Sequence, residues 1–365
     1  MPDDNKRKAP HVVARKLLLE RMKQLKGEGI EQLPGLRTLC KELGVGLVTL
    51  RTAIKQLSRE NRIRVVPRKG LFISADAGYL NIGIVLGDGS AVTFLGGAGT
   101  SIISGVFDAF RNQPVHPRGI QLRDPERLPG ILNNYGLDAC IWIWCMPEPD
   151  MISRNAAAVA ASDVPVVTVM PHYCPSSEEP ALPPNRIEPD FFGIGYLRAE
   201  FMLKRGHSKI ACFTGAANSV YSGFLAAIDS AKAVHKPEWR ISVNEISVKI
   251  QQILDEGEAT AMVVDGGIDN IQNVFNAVEA HPRGSSLELI VDHAGSPLPE
   301  IIARHKNVNV VAINYYPGKE LGVAAVKSLL ANLQGERPLS TIKLTSRIEL
   351  IDKSKTFLLE DDYAS

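Results

Sequence analysis

The sequence is short of the clustered chemistry on which enzymes and metal proteins depend. Five cysteines stand at 40, 140, 145, 174 and 212, odd in number and without the paired spacing of a metal site or a disulfide framework. Cys140 and Cys145 lie in an apolar run and read as buried thiols. The eight histidines are dispersed. No Gly-x-Ser-x-Gly, His-Glu-x-x-His or Cys-x-x-Cys occurs, so hydrolysis and zinc catalysis find no support. The stretch "GDGSAVTFLGGAG" (87–99) lacks both Gly-x-Gly-x-x-Gly and a following Gly-Lys-Ser/Thr; it reads as a strand-to-helix turn, not a phosphate cradle. No run approaches the ~20 apolar residues of a membrane span. "MPDDNKRKAPH" has no apolar segment of a secretory signal. These absences lead us to expect a cytoplasmic protein that is not an enzyme, with no catalytic residue, metal, cofactor or membrane partner.

What is present is unevenly spread. The formal net charge is only +1. Residues 1–75 nevertheless hold 17 Lys and Arg against 7 Asp and Glu, and the rest of the chain holds 24 against 33. A basic first fifth on an acidic body points to a polyanionic partner for one end. With 365 residues there is room for two or three domains.

"HVVARKLLLERMKQLK" (11–26) places Val12, Leu18, Leu19, Met22 and Leu25 mostly on one helical stripe. After Pro34, Leu36, Leu39 and Leu43 face one way in a short helix broken by Gly44. A second helix from about Leu47 to Arg59 turns Leu50, Ile54 and Leu57 inward, so the pair makes a helix-turn-helix. "RIRVV" and "LFIS" then flank Pro67-Arg68-Lys69-Gly70 as a hairpin. Charge at such a tip stabilises nothing within the hairpin. It makes sense as the wing of a winged helix, laid on phosphates or in a minor groove beside the second helix, which enters the major groove.

"LPGLRTLCKELGVGLVTLRTAIKQLSRENRIRVVPRKGLFIS" resembles the winged helix of the GntR family over about 42 residues. The shared features are the Leu-Pro opening, Arg37, the Leu-Gly-Val turn, Thr49-Leu50-Arg51 and the wing Gly70. The resemblance implies that Arg37 meets a phosphate, that Thr49 and Arg51 lie on the DNA-facing side, and that Lys69-Gly70 form the wing tip. Lys55 and Arg68 join them as expected DNA contacts. Where the family has Ser-Arg at the start of the recognition helix, this chain has Gly46-Leu47, followed by Val48. It therefore either reads few bases directly or reads thymine methyls by apolar contact.

From residue 80 the pattern changes to strand–helix alternation: "LNIGIVLGD", a helix through about Arg111, "GIQLRD", a helix near 125–135, "LDACIWIW" and "VPVVTVMP". A second series follows: a helix at about 191–205, then "KIACFTG", "YSGFLAAIDSAKA", "ISVNEISV", a helix near 248–256, "ATAMVVDG", "SLELIVDH" and "NVNVVAIN". Two series predict an α/β, doubly wound parallel-sheet body of two lobes with a cleft between them. "DFFGIGYLRAEFMLKRGHSKIACFTG" (190–215), with "SGFLAAI", "ATAMVVDG" and the segment 309–350, resembles the LacI-type effector-binding domain. That domain is itself similar to periplasmic sugar-binding proteins, and the resemblance spans roughly 270 residues.

The expected organisation is a winged helix-turn-helix at 1–74, a linker at 75–79, an effector-binding and dimerisation domain at 80–352, and a tail at 353–365. Ligands of such folds sit outside the carboxyl ends of the strands. Asp88, Phe94, Trp144, Tyr173, Tyr221, Asp265, Asp292 and Tyr316 occupy positions of that kind, with strand-end packing and helix capping as the alternative for each. Carboxylates and ring faces together suit a polyol, so the expected effector is a sugar or sugar derivative. The arginine that the family often carries three residues before the Gly of "GF" is Val220 here, and Gly266-Gly267 replace its Asn-Asp. The expected partners are duplex DNA with a palindromic operator, a small-molecule effector and a second copy of the chain; a regulator whose body only dimerises, and a solute-binding protein, are the alternatives.

Overall fold

Leucine spacing decides the first seventy residues. The computed structural model describes residues 10–86, 98–144, 149–169, 182–214, 218–292, 298–336 and 338–351. Helix α1 (Pro10–Gly27) turns Ala14, Leu18, Met22 and Leu25 inward, a spacing that keeps one stripe apolar. Helix α2 (Leu36–Leu43) ends on Gly44, whose φ of 65° reverses the chain in the region glycine enters freely. Helix α3 (Leu47–Arg59) buries Leu50, Ala53, Ile54 and Leu57. Strands β1 (Ile63–Val66) and β2 (Gly70–Ile73) pair antiparallel. One core unites Leu18, Met22, Leu39, Leu50, Leu57 and Ile63, and the result is a winged helix-turn-helix. Ala75–Gly78, expected to be a linker, form a 3-10 turn.

The first lobe continues with β3 (Leu80–Leu86), α4 (Ala98–Phe110), β4 (Val115–Gln121), α5 (Leu128–Asn134), β5 (Ala139–Ile143), α6 (Pro149–Ala160), β6 (Val166–Val169) and β7 (Arg186–Pro189). The second lobe holds α7 (Phe191–Lys204), β8 (Ile210–Phe213), α8 (Asn218–Ser230), β9 (Arg240–Ile241), α9 (Ile246–Glu256), β10 (Ala261–Val264), α10 (Ile268–Glu279), β11 (Glu288–Asp292), α11 (Leu298–Arg304) and β12 (Asn309–Tyr315). The chain then returns to the first lobe for α12 (Gly318–Leu333) and β13 (Ile342–Leu344), and ends its described course in the second with β14 (Arg347–Leu350).

One six-stranded sheet has the order β13-β7-β6-β5-β3-β4 and the other β14-β12-β11-β10-β8-β9. Every pairing is parallel except β12 with β14. The strand order reverses between β3 and β5 in one sheet and between β8 and β10 in the other. Helices diverge to opposite faces at such points and leave a crevice.

Each lobe closes through a tight crossing of two helices. A methyl on Gly195 of α7 would land on the Val220 carbonyl, and one on Gly223 of α8 on that of Phe192. Gly105 of α4 and Gly322 of α12 approach Lys319 and Ile102 in the same way. Among the described residues no helix is long and apolar enough to cross a membrane.

Two local expectations need correcting. β4 starts at Val115 and runs through Pro117, which is tolerated because β4 is an edge strand. "ISVNEISV" supplies only the last residue of the two-residue β9 before a 3-10 turn and α9 take over.

Candidate functional site

Two regions gather polar groups that the fold itself does not consume. The first is the outer face of the head. Gly46 caps α3 in extended backbone, and the next two side chains project into solvent, Val48 at 79% exposure and Leu47 at 41%. Arg51 and Lys55 lie on the same helix, both exposed, and Thr49 of its first turn is half-buried. Arg37 is exposed on α2. The wing turn uses two positive backbone angles, φ 62° at Arg68 and 114° at Gly70. It is pinned where the Gln32 amide donates to the Lys69 carbonyl at 2.9 Å. Arg64 lies 5.8 Å from the Phe72 ring centroid, so one wing cation serves the hairpin. Among the described residues Arg37, Arg51, Lys55, Arg68 and Lys69 enter no ion pair. All seven residues expected to meet DNA therefore belong to one small module with uncompensated positive charge.

The second region is the carboxyl edge of the second lobe's sheet. Thr214, Asp265, Asp292 and Asn314 end or follow β8, β10, β11 and β12, four neighbouring strands. Beneath them lies Arg198 of α7, 3% exposed. It stands on the buried stripe of Ile194, Arg198 and Met202, four residues apart and therefore facing the sheet. Its Nη1 is 3.2 Å from Asp265 Oδ1, and its Nη2 pairs with Asp292 Oδ1. Asn314 Nδ2 donates to Asp292 Oδ1 at 2.9 Å, the Gly266 amide donates to Asp292 Oδ2 at 3.3 Å, and Ser346 Oγ donates to Asn314 Oδ1 at 2.6 Å.

One guanidinium thus faces two carboxylates. Burial lifts the Asp292 carboxyl well above the usual range; the Arg198 charge pulls it down only in part, and Asp265 pushes it further up. Burial also raises Asp265, but Arg198 and a bond from Asp292 outweigh that and hold it below its ordinary value. Of the two acids, Asp292 is therefore the one that holds its proton to higher pH. The Thr214 hydroxyl and Arg198 Nε are buried without a hydrogen-bond partner among the described residues.

Tyr316 completes this cluster. It is half-buried and packs on the first lobe's core. Burial, with Asp292 nearby, keeps its hydroxyl well above the ordinary tyrosine value. Asp265, Asp292 and Tyr316 are thus brought together, whereas two other expected ligand residues go elsewhere. Trp144 is 1% exposed, edge-on to Trp142 at 5.5 Å in the first lobe's core. Tyr221 stacks on Phe224, lies under Arg240 at 4.1 Å, and bonds through its hydroxyl to His235 Nε2 at 2.9 Å. His235 in turn holds the Ile210 carbonyl at the amino end of β8, the end remote from the aspartates. Asp88, Phe94 and Tyr173 lie outside the described residues. His207 bridges Thr260 and Glu288 at 2.9 Å each, a structural tie.

Arg198, Thr214, Asn314 and Ser346 escaped the sequence reading. Only Arg198 had a usable signal, a cation on the apolar stripe of a helix. Among the described residues no group of three or more His, Cys, Asp or Glu could hold a metal ion.

The sequence profile of the bacterial regulatory proteins of the gntR family matches residues 15–73. Comparison with curated proteins gives no match. Among solved structures, a complex of the transcriptional regulator CelR with cellobiose is similar at TM-score 0.56 and 14% identity, over 87% of this chain and 98% of that one. GanP, a glucose-galactose binding protein from Geobacillus stearothermophilus, gives 0.54 and 14% over 74% and 97%. A lac repressor dimer bound to operator and the anti-inducer ONPF gives 0.51 and 16% over 74% and 93%. At such identities the likeness is one of fold. The head is a winged helix of the GntR type, and the body has the two-lobed architecture common to LacI-type regulators and periplasmic-type binding proteins.

Proposed function

We propose that the chain is a one-component transcription regulator of the cytoplasm, most simply a repressor. Its head, up to residue 74, grips duplex DNA through Arg37, Thr49, Arg51, Lys55, Arg68, Lys69 and Gly70. Its body, residues 80–352, binds a small polyhydroxylated molecule, a sugar or sugar derivative, and joins a second copy. The observation that carries the reading is the union of two things in one chain: a head face whose five cations have no anionic partner among the described residues, and a two-lobed body with a polar row at its strand ends. Phosphates compensate the first, and hydroxyl groups suit the second because carboxylate and amide side chains bond them in pairs. Asp265, Asp292, Asn314 and Thr214 of the second lobe, with Tyr316 on the crossover to the first, are the residues assigned to that ligand.

The mechanism follows from linkage. A ligand bound between the lobes favours the closed body by its differential affinity for the two states, and so changes how two heads are held across a twofold axis. Two heads require a palindromic operator.

Fluorescence anisotropy with promoter fragments from the organism's own genome tests the first half. The full chain should bind a subset of them at low ionic strength, and Arg51→Ala and Lys69→Ala should weaken that binding. Absence of any shift in dilute buffer would sink the DNA assignment. A thermal-shift screen against monosaccharides and disaccharides tests the second half. Stabilisation by one compound supports it, and none by any would leave the body a dimerisation module only.

A further inference from the structure

The end of the recognition helix does not stop in solvent. Glu60, which caps α3, and Arg62 after it are among the few buried charges of the head, 4% and 6% exposed. Both are buried against the first lobe. From α1, Arg15 Nε donates to Glu60 Oε1 at 3.1 Å and its Nη2 to Oε2 at 2.8 Å, and that same Nη2 donates to the Gly136 carbonyl at 3.1 Å. Arg62 Nε lies 3.6 Å from Glu60 Oε2, and its Nη2 pairs with Asp138, the residue before β5. Asp138 Oδ2 also accepts the backbone N–H of Asn81 in β3 at 2.8 Å. The Asn81 side-chain oxygen, oriented to suit its neighbours, accepts from Arg62 at 3.2 and 3.3 Å. Gln56 of α3 donates to the Asn133 carbonyl at 3.4 Å.

Two guanidinium groups and two carboxylates thus balance each other in a buried seam, with backbone groups of the lobe taking the remaining bonds. Apolar contact does not close the seam: beside it a cavity of about 360 Å³ is lined by Val12, Lys16, Leu132, Gly136 and Val164 among others. Fork-to-carboxylate pairs fix an angle that apolar surfaces would let slide. Gly136 has φ +60°, and a methyl there would fall within the Glu60 carboxylate; the lobe is shaped around this acid.

The placement matters because of the strands that carry it. β3 and β5 hold the seam at their amino ends, through Asn81 and Asp138. Their carboxyl ends, after Leu86 and Ile143, flank the first lobe's switch point. At about 3.3 Å per residue, two rigid strands on the order of 20 Å long join the seam to the cleft.

We propose that Arg15, Glu60, Arg62 and Asp138 form a positioning latch that makes the head and the first lobe one rigid body, so that the recognition helix turns with that lobe when the cleft closes. The consequence for DNA rests on the reading of the chain as a regulator; the rigid coupling itself does not.

Two measurements on the full chain separate these levels. In small-angle scattering the wild type should fit one docked envelope. Arg62→Met combined with Asp138→Ala should lengthen the maximum dimension by up to roughly 15 Å, the reach of five linker residues, and should split one calorimetric transition into two. Arg62→Lys, which keeps a cation facing both Glu60 and Asp138, should hold both readings closer to wild type than the uncoupled variant does. An extended wild type, or an uncoupled variant indistinguishable from it, overturns the latch. The second measurement is selection from random duplexes. Wild type should enrich paired half-sites at one spacing and the uncoupled variant at several; one shared spacing overturns the positioning role. If wild type enriches no duplex, the regulator reading fails and scattering alone decides the latch.

Discussion

Arg198 and Asp292 meet beneath the carboxyl edge of the second lobe's sheet, one from the middle of a helix and the other from the end of a strand. Their contact occupies a carboxylate that a ligand would otherwise find free, and Asp265 shares the same guanidinium. A polyol bound there, as proposed, would meet a prearranged cluster of one cation, two acids paired with it and an amide, not two bare anions. That arrangement lowers the net charge of the site while leaving acceptors in place for hydroxyl groups.

Arg198→Met should therefore cost more than an ordinary core substitution. It strands two buried acids, and breaking a buried pair costs about 3–5 kcal/mol. Urea denaturation of the purified chain checks the figure. Arg198→Lys should recover only part of the loss, because an ammonium cannot span both carboxylates as the planar fork does.

Acidity at this cluster has a definite sign. Asp292 has a folded value raised above the unfolded one, so its contribution is complete below the ordinary aspartate range and is lost as pH rises through the raised value. Asp265 is shifted down and contributes in the opposite sense, gaining above the ordinary range. Asp292→Asn mimics the protonated acid and should abolish the loss at rising pH while keeping the gain. Melting temperature against pH for the two proteins, taken as a difference, isolates the effect.

Val48 offers its methyl groups at the mouth of the recognition helix, flanked by Arg51 and Lys55. Contact with a thymine methyl buries about one carbon, worth ~0.8 kcal/mol. Replacing the thymines of a bound duplex by deoxyuridine should weaken wild-type binding about fourfold, by that same estimate, and should leave Val48→Ala nearly indifferent. Equal affinity of the wild type for both duplexes would show that no methyl is read.

If the wing cations meet phosphate and not base, Lys69→Ala and Arg68→Ala should weaken binding to all duplexes alike. Each should reduce the slope of log affinity against log salt by about 0.9. A titration at four salt concentrations is sufficient.

Gly195→Ala places a methyl on the Val220 carbonyl. The two helices must part, and overpacking of this kind costs about 1–3 kcal/mol. Calorimetry should show the loss.

The architecture was legible wherever the apolar period was long. The stripe of Leu18, Met22 and Leu25, the glycine turn at Gly44 and the alternating strands each follow from side-chain spacing alone. β7 and β13 were not legible: "RIEP" and "IKL" are short, partly polar, and owe their strand form to pairing across the chain. At the cleft, position along a strand identified Asp265 and Asp292. It could not distinguish Trp144 and Tyr221, whose rings are directed by packing against Trp142 and by His235. Arg198 was hidden for the converse reason. A helix periodicity assigns a residue to the inside without saying what an interior charge will find there.

Only Thr345 and Ser346 separate β13 in one sheet from β14 in the other. The lobe closure proposed above would twist that two-residue strap, and Ser346 is tied at 2.6 Å to the Asn314 oxygen whose amide steadies Asp292. Strap and polar row are thus joined by one hydrogen-bonded chain: torsion in the strap would be felt at Asp292, and a ligand held by Asp292 would stiffen the strap.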